Sequence, residues 1–154
     1  MSAPFPSPVE SALQGGDPQE VLAASLQHFG CQAGTVHLLR DGALKLAAYS
    51  GIPPHVAQIF ETVPIGKGIA GLAAERREPI TICNLQTDTS GQARPGAKAT
   101  GMEGSIAVPM LAAGELRGVL GVAKAAAYDW SDGETQLLMQ IAAGLAEKTP
   151  TPQG

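Results

Sequence analysis

Two apolar runs flanking a tight turn constrain this chain more than any other feature: Thr35-Val36-His37-Leu38-Leu39 and Leu44-Lys45-Leu46-Ala47-Ala48-Tyr49, around Arg40-Asp41-Gly42. An Asp-Gly pair supplies the positive φ angles that a two-residue hairpin demands, and so short a loop joins only antiparallel strands. The pattern returns at Ser105-Ile106-Ala107-Val108-Pro109-Met110 and Leu116-Arg117-Gly118-Val119-Leu120-Gly121-Val122-Ala123, joined through Ala113-Gly114-Glu115. With Pro79-Ile80-Thr81-Ile82-Cys83 these runs predict a five-stranded sheet inside a mixed α/β (α+β) fold.

Helix signals alternate with the strands. Asp17-Pro18-Gln19-Glu20 combines a capping acid, a proline at the first helical position and a glutamate at the third, and Val21, Leu22, Leu26 and Phe29 line one face up to Gly30. Pro53-Pro54 opens a short helix through Phe60, and a glycine-rich segment opens another that ends near Arg77. Ser131-Asp132-Gly133-Glu134 is a second capping box. After it Leu137, Leu138, Ile141, Ala142 and Leu145 form an apolar arc of nearly half the circumference at about 100° per residue. Residues 1–16, with Pro4, Pro6 and Pro8, are expected to be a flexible arm, 17–147 the folded domain, and 148–154 a flexible tail. Asn84 to Gly104 is the longest stretch without periodicity, the kind of loop that serves as a functional lid or is disordered.

The glycine segment, Val63-Pro64-Ile65-Gly66-Lys67-Gly68-Ile69-Ala70-Gly71, imitates a dinucleotide fingerprint. Its flanks deny that reading. The preceding apolar residues Val56, Ile59 and Phe60 have helical spacing, so no buried strand feeds the turn. The place of the ribose-binding acid falls in a polar loop near Thr87-Asp88. A Walker loop fails too, because no Ser or Thr follows Lys67. The expectation is a loop-to-helix junction in which Gly66 and Gly68 take unusual dihedrals.

Composition removes further classes. A net charge of −4 without a Lys/Arg run leaves no electrostatic footprint for nucleic acid. Two cysteines, Cys31 and Cys83, and three scattered histidines have no zinc-ligand spacing. The N-terminus lacks the basic start and apolar run of a signal peptide, and no apolar run approaches the roughly 20 residues that span a bilayer. A cytoplasmic protein is expected.

Taken in order, Gly34 to Leu39, Ala43 to Gly51, Pro64 to Gly71, Ser105 to Met110, Leu116 to Val122 and Trp130-Ser131-Asp132 resemble a GAF domain from about Asp17 to Glu147. The resemblance implies a central antiparallel sheet of about five to six strands, terminal helices on one face, and a ligand cavity with shorter helices on the other. It also implies a stand-alone, bacterial-type regulatory protein that senses small molecules without catalysis. Cyclic-nucleotide-binding members carry Asn-Lys, Phe and Asp-Glu where this chain has Ala123-Lys124, Trp130 and Glu134-Thr135, so only Lys124 is kept. Free methionine-(R)-sulfoxide reductases, the enzymatic alternative, have one cysteine where Ala70 stands and another in the long loop; both are missing. No cysteine between Asn84 and Gly154 is available to link a bilin, and His28 and His37 are the only positional candidates for a haem ligand. The cofactor stays unassigned.

Relatives that sense a small anion such as nitrate bind it through backbone amides, which here would be those of Gly68 and Ile69 at a helix N-terminus. The expected cavity lies under that helix and the long loop. Thr81, Cys83, Asn84, Thr100 and Ser105 would orient a ligand, with Arg94 and Lys98 supplying positive charge for an acidic one. A second class of function is a ligand-free interaction module. The wide arc of the last helix, through Leu137, Leu138, Ile141 and Leu145, would suit a homodimer, with any signalling output passing to a separate partner.

Overall fold

A computed structural model describes residues 6–87 and 100–149. The elements run α1 (Ser7–Gly15), α2 (Pro18–Phe29), β1 (Ala33–Arg40), β2 (Ala43–Ser50), α3 (Pro54–Ala57) and a 3-10 turn (Gln58–Phe60). They continue with β3 (Thr62–Pro64), α4 (Gly68–Arg76), β4 (Ile80–Ile82), β5 (Gly104–Ala112), β6 (Glu115–Lys124) and α5 (Asp132–Lys148). The strands form one antiparallel sheet in the order β3-β2-β1-β6-β5-β4.

Both hairpins form as their turn chemistry requires. Arg40 pairs with Ala43 and Ala112 with Glu115. The two central residues of each turn have positive φ: Asp41 and Gly42 at 52° and 77°, Ala113 and Gly114 at 52° and 79°. Both capping signals are realised as well. Asp17 accepts from the Gln19 amide at 3.1 Å. Ser131 Oγ accepts from the Glu134 amide at 3.1 Å while the Glu134 carboxylate accepts from the Ser131 amide at 3.0 Å.

The main core lies between one sheet face and helices α1, α2 and α5. It contains Val21, Leu22, Leu26, Val36, Ile106, Val108, Leu120, Leu138, Ile141 and Leu145. A second cluster joins α4 to the other face through Leu44, Val63, Ala73, Ala74, Ile80, Ala107 and Val119. Strand alternation divides the two: Val36, Leu120 and Ile106 point to the long helices, Ala107 and Val119 to α4.

Three expectations change here. Residues 7–15, expected to be part of a flexible arm, form α1. Pro8 sits in its first turn, Gly16 closes it at φ 74°, and Val9, Ala12 and Leu13 are buried. Helical spacing of those three residues, rather than the prolines, governs the segment, because α1 packs on α2 and α5. A Cβ added at Gly144 would lie 3.2 Å from Leu13 Cδ2. This contact also explains the wide arc of α5. Leu138, Ile141 and Leu145 are 0–1% exposed inside the monomer and Leu137 packs on the same core, so the arc meets the sheet and α1 together. A dimer through those three side chains would have to open the core. Finally, a strand does precede the glycine segment: Thr62–Pro64 pairs with Ala43–Lys45 at the sheet margin. It is short because Pro64 offers no N–H to extend the ladder. The tail residues 150–154 and most of the long loop lie outside the described residues.

Candidate functional site

On the face away from α1, α2 and α5, a cavity of about 120 Å³ opens between the sheet and α4. β1 lines it with Ala33, Thr35 and His37, β6 with Gly121 and Ala123, and β5 with Ser105 and Ala107. The register makes these one surface, since Thr35 pairs with Gly121 and Ser105 with Ala123. The opposite wall is Phe60, Val63 and the segment Lys67-Gly68-Ile69-Ala70, while Ile52, Leu85, Thr100 and Met102 close the end.

The glycine segment is built to present its amides. Gly66 N donates to Gly71 O at 2.8 Å and Lys67 N to Pro64 O at 3.1 Å, so the loop folds back on the helix it introduces. Gly71 is held to glycine by closeness: a Cβ there would lie 2.5 Å from Pro64 O and 3.1 Å from Gly66 N. The N-cap of α4 is Lys67, whose side chain makes no capping bond. The amides of Gly68, Ile69 and Ala70 therefore have no hydrogen-bond partner among the described residues, and all three residues line the cavity. Exposed Lys67 adds a cation at the same end. Amides at a helix N-terminus attract negative oxygen.

His37 is the polar feature of the floor. It is 2% exposed and its Nε2 lies 2.7 Å from the Phe60 carbonyl oxygen, which can only accept, so Nε2 carries the proton. Burial lowers the imidazole pKa, outweighing the opposing effect of the Phe60 bond. The ring is thus neutral at neutral pH, with Nδ1 an acceptor that receives no hydrogen bond among the described residues. Thr35 and Ser105 place hydroxyls on the same surface.

Of the nine residues expected at the site, Gly68, Ile69, Thr100 and Ser105 line the cavity. Thr81 does not: it pairs with Ile106, which faces the long helices, while Ile80 and Ile82 pack on the α4 side of the sheet. Cys83 is exposed beyond the sheet margin, and a hydrogen bond with Asp129 is the main cause of its raised thiol pKa. Asn84 caps a turn instead, accepting from the Gln86 amide at 2.9 Å and donating to Glu103 at 3.2 Å. Arg94 and Lys98 lie outside the described residues. Sequence reasoning missed Lys67, Thr35 and His37 as lining. For Thr35 and His37 the signal was there in β1, where residues 33, 35 and 37 share a face by alternation.

Other chemistry lies apart from the cavity. His28, one haem candidate, is exposed on α2, and Nε2 of the other, His37, is engaged by Phe60. Cys31 packs on the helix-side core, where burial pushes its thiol up to about 11. Neither of the chain's two cysteines lines the cavity. Lys124 Nζ donates to Phe29 O at 2.6 Å and lies 4.3 Å from the Tyr128 ring centroid, tying the ends of α2 and β6 to the loop before α5. Tyr128 Oη donates to Glu134 at 2.6 Å. Burial works against the charge on Glu134, but the bonds from Tyr128 and Ser131 hold its carboxyl below the usual range.

A curled antiparallel sheet with long helices on one face and a half-roofed cavity on the other defines the GAF class of ligand-sensing and regulatory modules. A GAF domain sequence profile matches residues 19–147, and the chain belongs to that family. The GAF domain of a phosphoenolpyruvate-protein phosphotransferase from Coxiella burnetii superposes with a TM-score of 0.77 at 20% identity, covering 92% of this chain and 90% of that one. A putative GAF sensor protein from Burkholderia vietnamiensis gives 0.75 at 19% identity over 93% and 91%. Free methionine-R-sulfoxide reductase from Neisseria meningitidis, in complex with its substrate, gives 0.75 at 18% over 91% and 83%. No curated protein matches in sequence. Among the described residues no helix is long and apolar enough to cross a membrane.

Proposed function

We propose that this chain is a non-catalytic sensing domain that binds a small acidic metabolite in the cavity between the sheet and α4. The observation that carries the reading is the α4 N-terminus, where three amides without partners and Lys67 border a mostly apolar cavity. A carboxylate or similar anion would take the amides, and the apolar body of the ligand would lie against Ala33, Ile52, Met102 and Ala123. At about 30 Å³ per water the cavity has room for about four waters, the scale of a small metabolite. Binding over catalysis is supported by Ala70, which lines the cavity where the resemblance puts a reductase cysteine, and by the position of Cys31 and Cys83 away from it. Ligand-dependent change would reach other proteins through the long helices on the far face, in the cytoplasm of a bacterial-type cell.

The test is thermal shift and calorimetry with nitrate, 2-oxo acids, amino acids and small monocarboxylates. An acid at a hundred times its Kd should stabilise by about 2.7 kcal/mol, or about 8 °C at roughly 3 °C per kcal/mol for a chain this long. Lys67→Ala should weaken that ligand and Gly121→Val, which fills the floor, should abolish its binding. Stabilisation that survives Gly121→Val would move the ligand out of this cavity. Turnover of free methionine sulfoxide would overturn the non-catalytic reading.

A further inference from the structure

We propose that His37 sets the specificity of the cavity by accepting, at Nδ1, a hydrogen bond from an O–H or N–H of the ligand. The inference rests on the reading that the cavity holds a small acid at α4. It narrows that acid to one whose apolar body also carries a hydroxyl or amino group.

Three buried side-chain nitrogens lack a hydrogen bond among the described residues: His37 Nδ1, Arg117 Nε and Trp130 Nε1. Of their residues only His37 lines the cavity. Arg117 Nε belongs to a guanidinium already bonded to the Thr149 carbonyl at 2.6 Å, and Trp130 packs on the helix-side core. The bond to Phe60 fixes the tautomer, because the carbonyl oxygen requires Nε2–H and leaves Nδ1 as a lone pair. A plain carboxylate could not serve that lone pair, since both are acceptors. A ligand O–H or N–H could. Leaving a buried acceptor unpaired is costly, so a site with such a group favours the ligand that pairs it and rejects the analogue that does not.

Nδ1 is closed over in the floor, with less than 1 Å² exposed, so the imidazole must pivot about its Nε2–Phe60 bond to meet a donor. Phe60, bonded to the same ring, lines the same cavity. Recognition at His37 would therefore be felt at Phe60 in the opposite wall. Thr35 and Ser105, whose hydroxyls make no hydrogen bond among the described residues, are placed to complete the ring of contacts around a polar substituent.

The test compares five- and six-carbon monocarboxylic acids with their 2-, 3- and 4-hydroxy and 2-amino derivatives by calorimetry. At least one derivative should bind tenfold or more tightly than its parent acid. His37→Phe should erase that preference, and His37→Asn, which keeps both an acceptor and a donor for Phe60, should retain part of it. On the unmutated protein, the side-chain ¹⁵N resonance of His37 Nδ1 should move upfield when the preferred acid binds. Parent acids that bind as well as every derivative, or a preference that survives His37→Phe, would overturn this inference and leave the acid-binding reading standing. Absence of binding by every acid in the series would overturn both.

Discussion

Gly34 and Gly121 sit on adjacent strands, one residue out of register, and face opposite sides of the sheet; replacing each by alanine separates a filled face from an open one. A Cβ on Gly34 would meet Gly121 O and Leu22 Cδ1 at 2.8 Å and Leu26 Cδ2 at 3.0 Å. A Cβ on Gly121 would find Thr35 Oγ1 at 3.4 Å and Ile106 O at 3.7 Å, ordinary contacts on the cavity floor. Overpacking costs about 1–3 kcal/mol, and removing glycine from a strand returns roughly 0.5–1, so Gly34→Ala should destabilise by about 1–2 kcal/mol. Gly121→Ala gains the same strand term plus part of the ~0.8 kcal/mol of one buried carbon, a net stabilisation of about 1 kcal/mol. The variants should then differ by about 2–3 kcal/mol, or about 6–9 °C in melting temperature. Urea denaturation and calorimetry on both proteins read the difference directly. Equal melting temperatures, or a less stable Gly121→Ala, would mean that the space beside Thr35 is not open and would refute the cavity assignment.

Leu145→Ala, in the fully buried face of α5, should cost about 2–5 kcal/mol by urea denaturation; a loss below about 1 kcal/mol would show that the arc is free for a partner after all. Lys124→Met removes the donor to Phe29 O and the cation over Tyr128, and about 2 kcal/mol of stability should go with it. For pH, burial depresses the folded-state pKa of His37 below the unfolded value of about 6.5. The unfolded chain then binds the extra proton, so stability attributable to His37 is complete above that pH and falls as pH drops through it towards the lowered folded pKa. Denaturation from pH 8 to 5 should show this slope, and His37→Gln should flatten it; an unchanged slope would assign the proton elsewhere.

What could be read from the sequence was local. An Asp-Gly turn, a Ser-x-x-Glu box and a period-two run each carry their own instruction, and the hairpins, α2 and α5 follow them. Thr62–Pro64 was missed because three residues with a proline hold no period; only pairing with β2 makes them a strand. The arm became α1 because Val9, Ala12 and Leu13 are buried in a core built with α2 and with α5, a helix more than a hundred residues away. Of the cavity lining, Gly68 and Ile69 were legible from the glycine segment. Thr81 and Cys83 were misplaced because alternation divides a strand into two faces without saying which one a cavity takes. His37 and Lys67 entered only when β1 and α4 were brought onto one cavity.

The sheet keeps its long strands inside. β1, β2, β5 and β6 have eight to ten residues, whereas the marginal strands β3 and β4 have three each, one of them ending in Pro64. On β3 or β4 themselves an incoming chain would find only three residues to pair with, so neither short strand offers a long edge for strand addition.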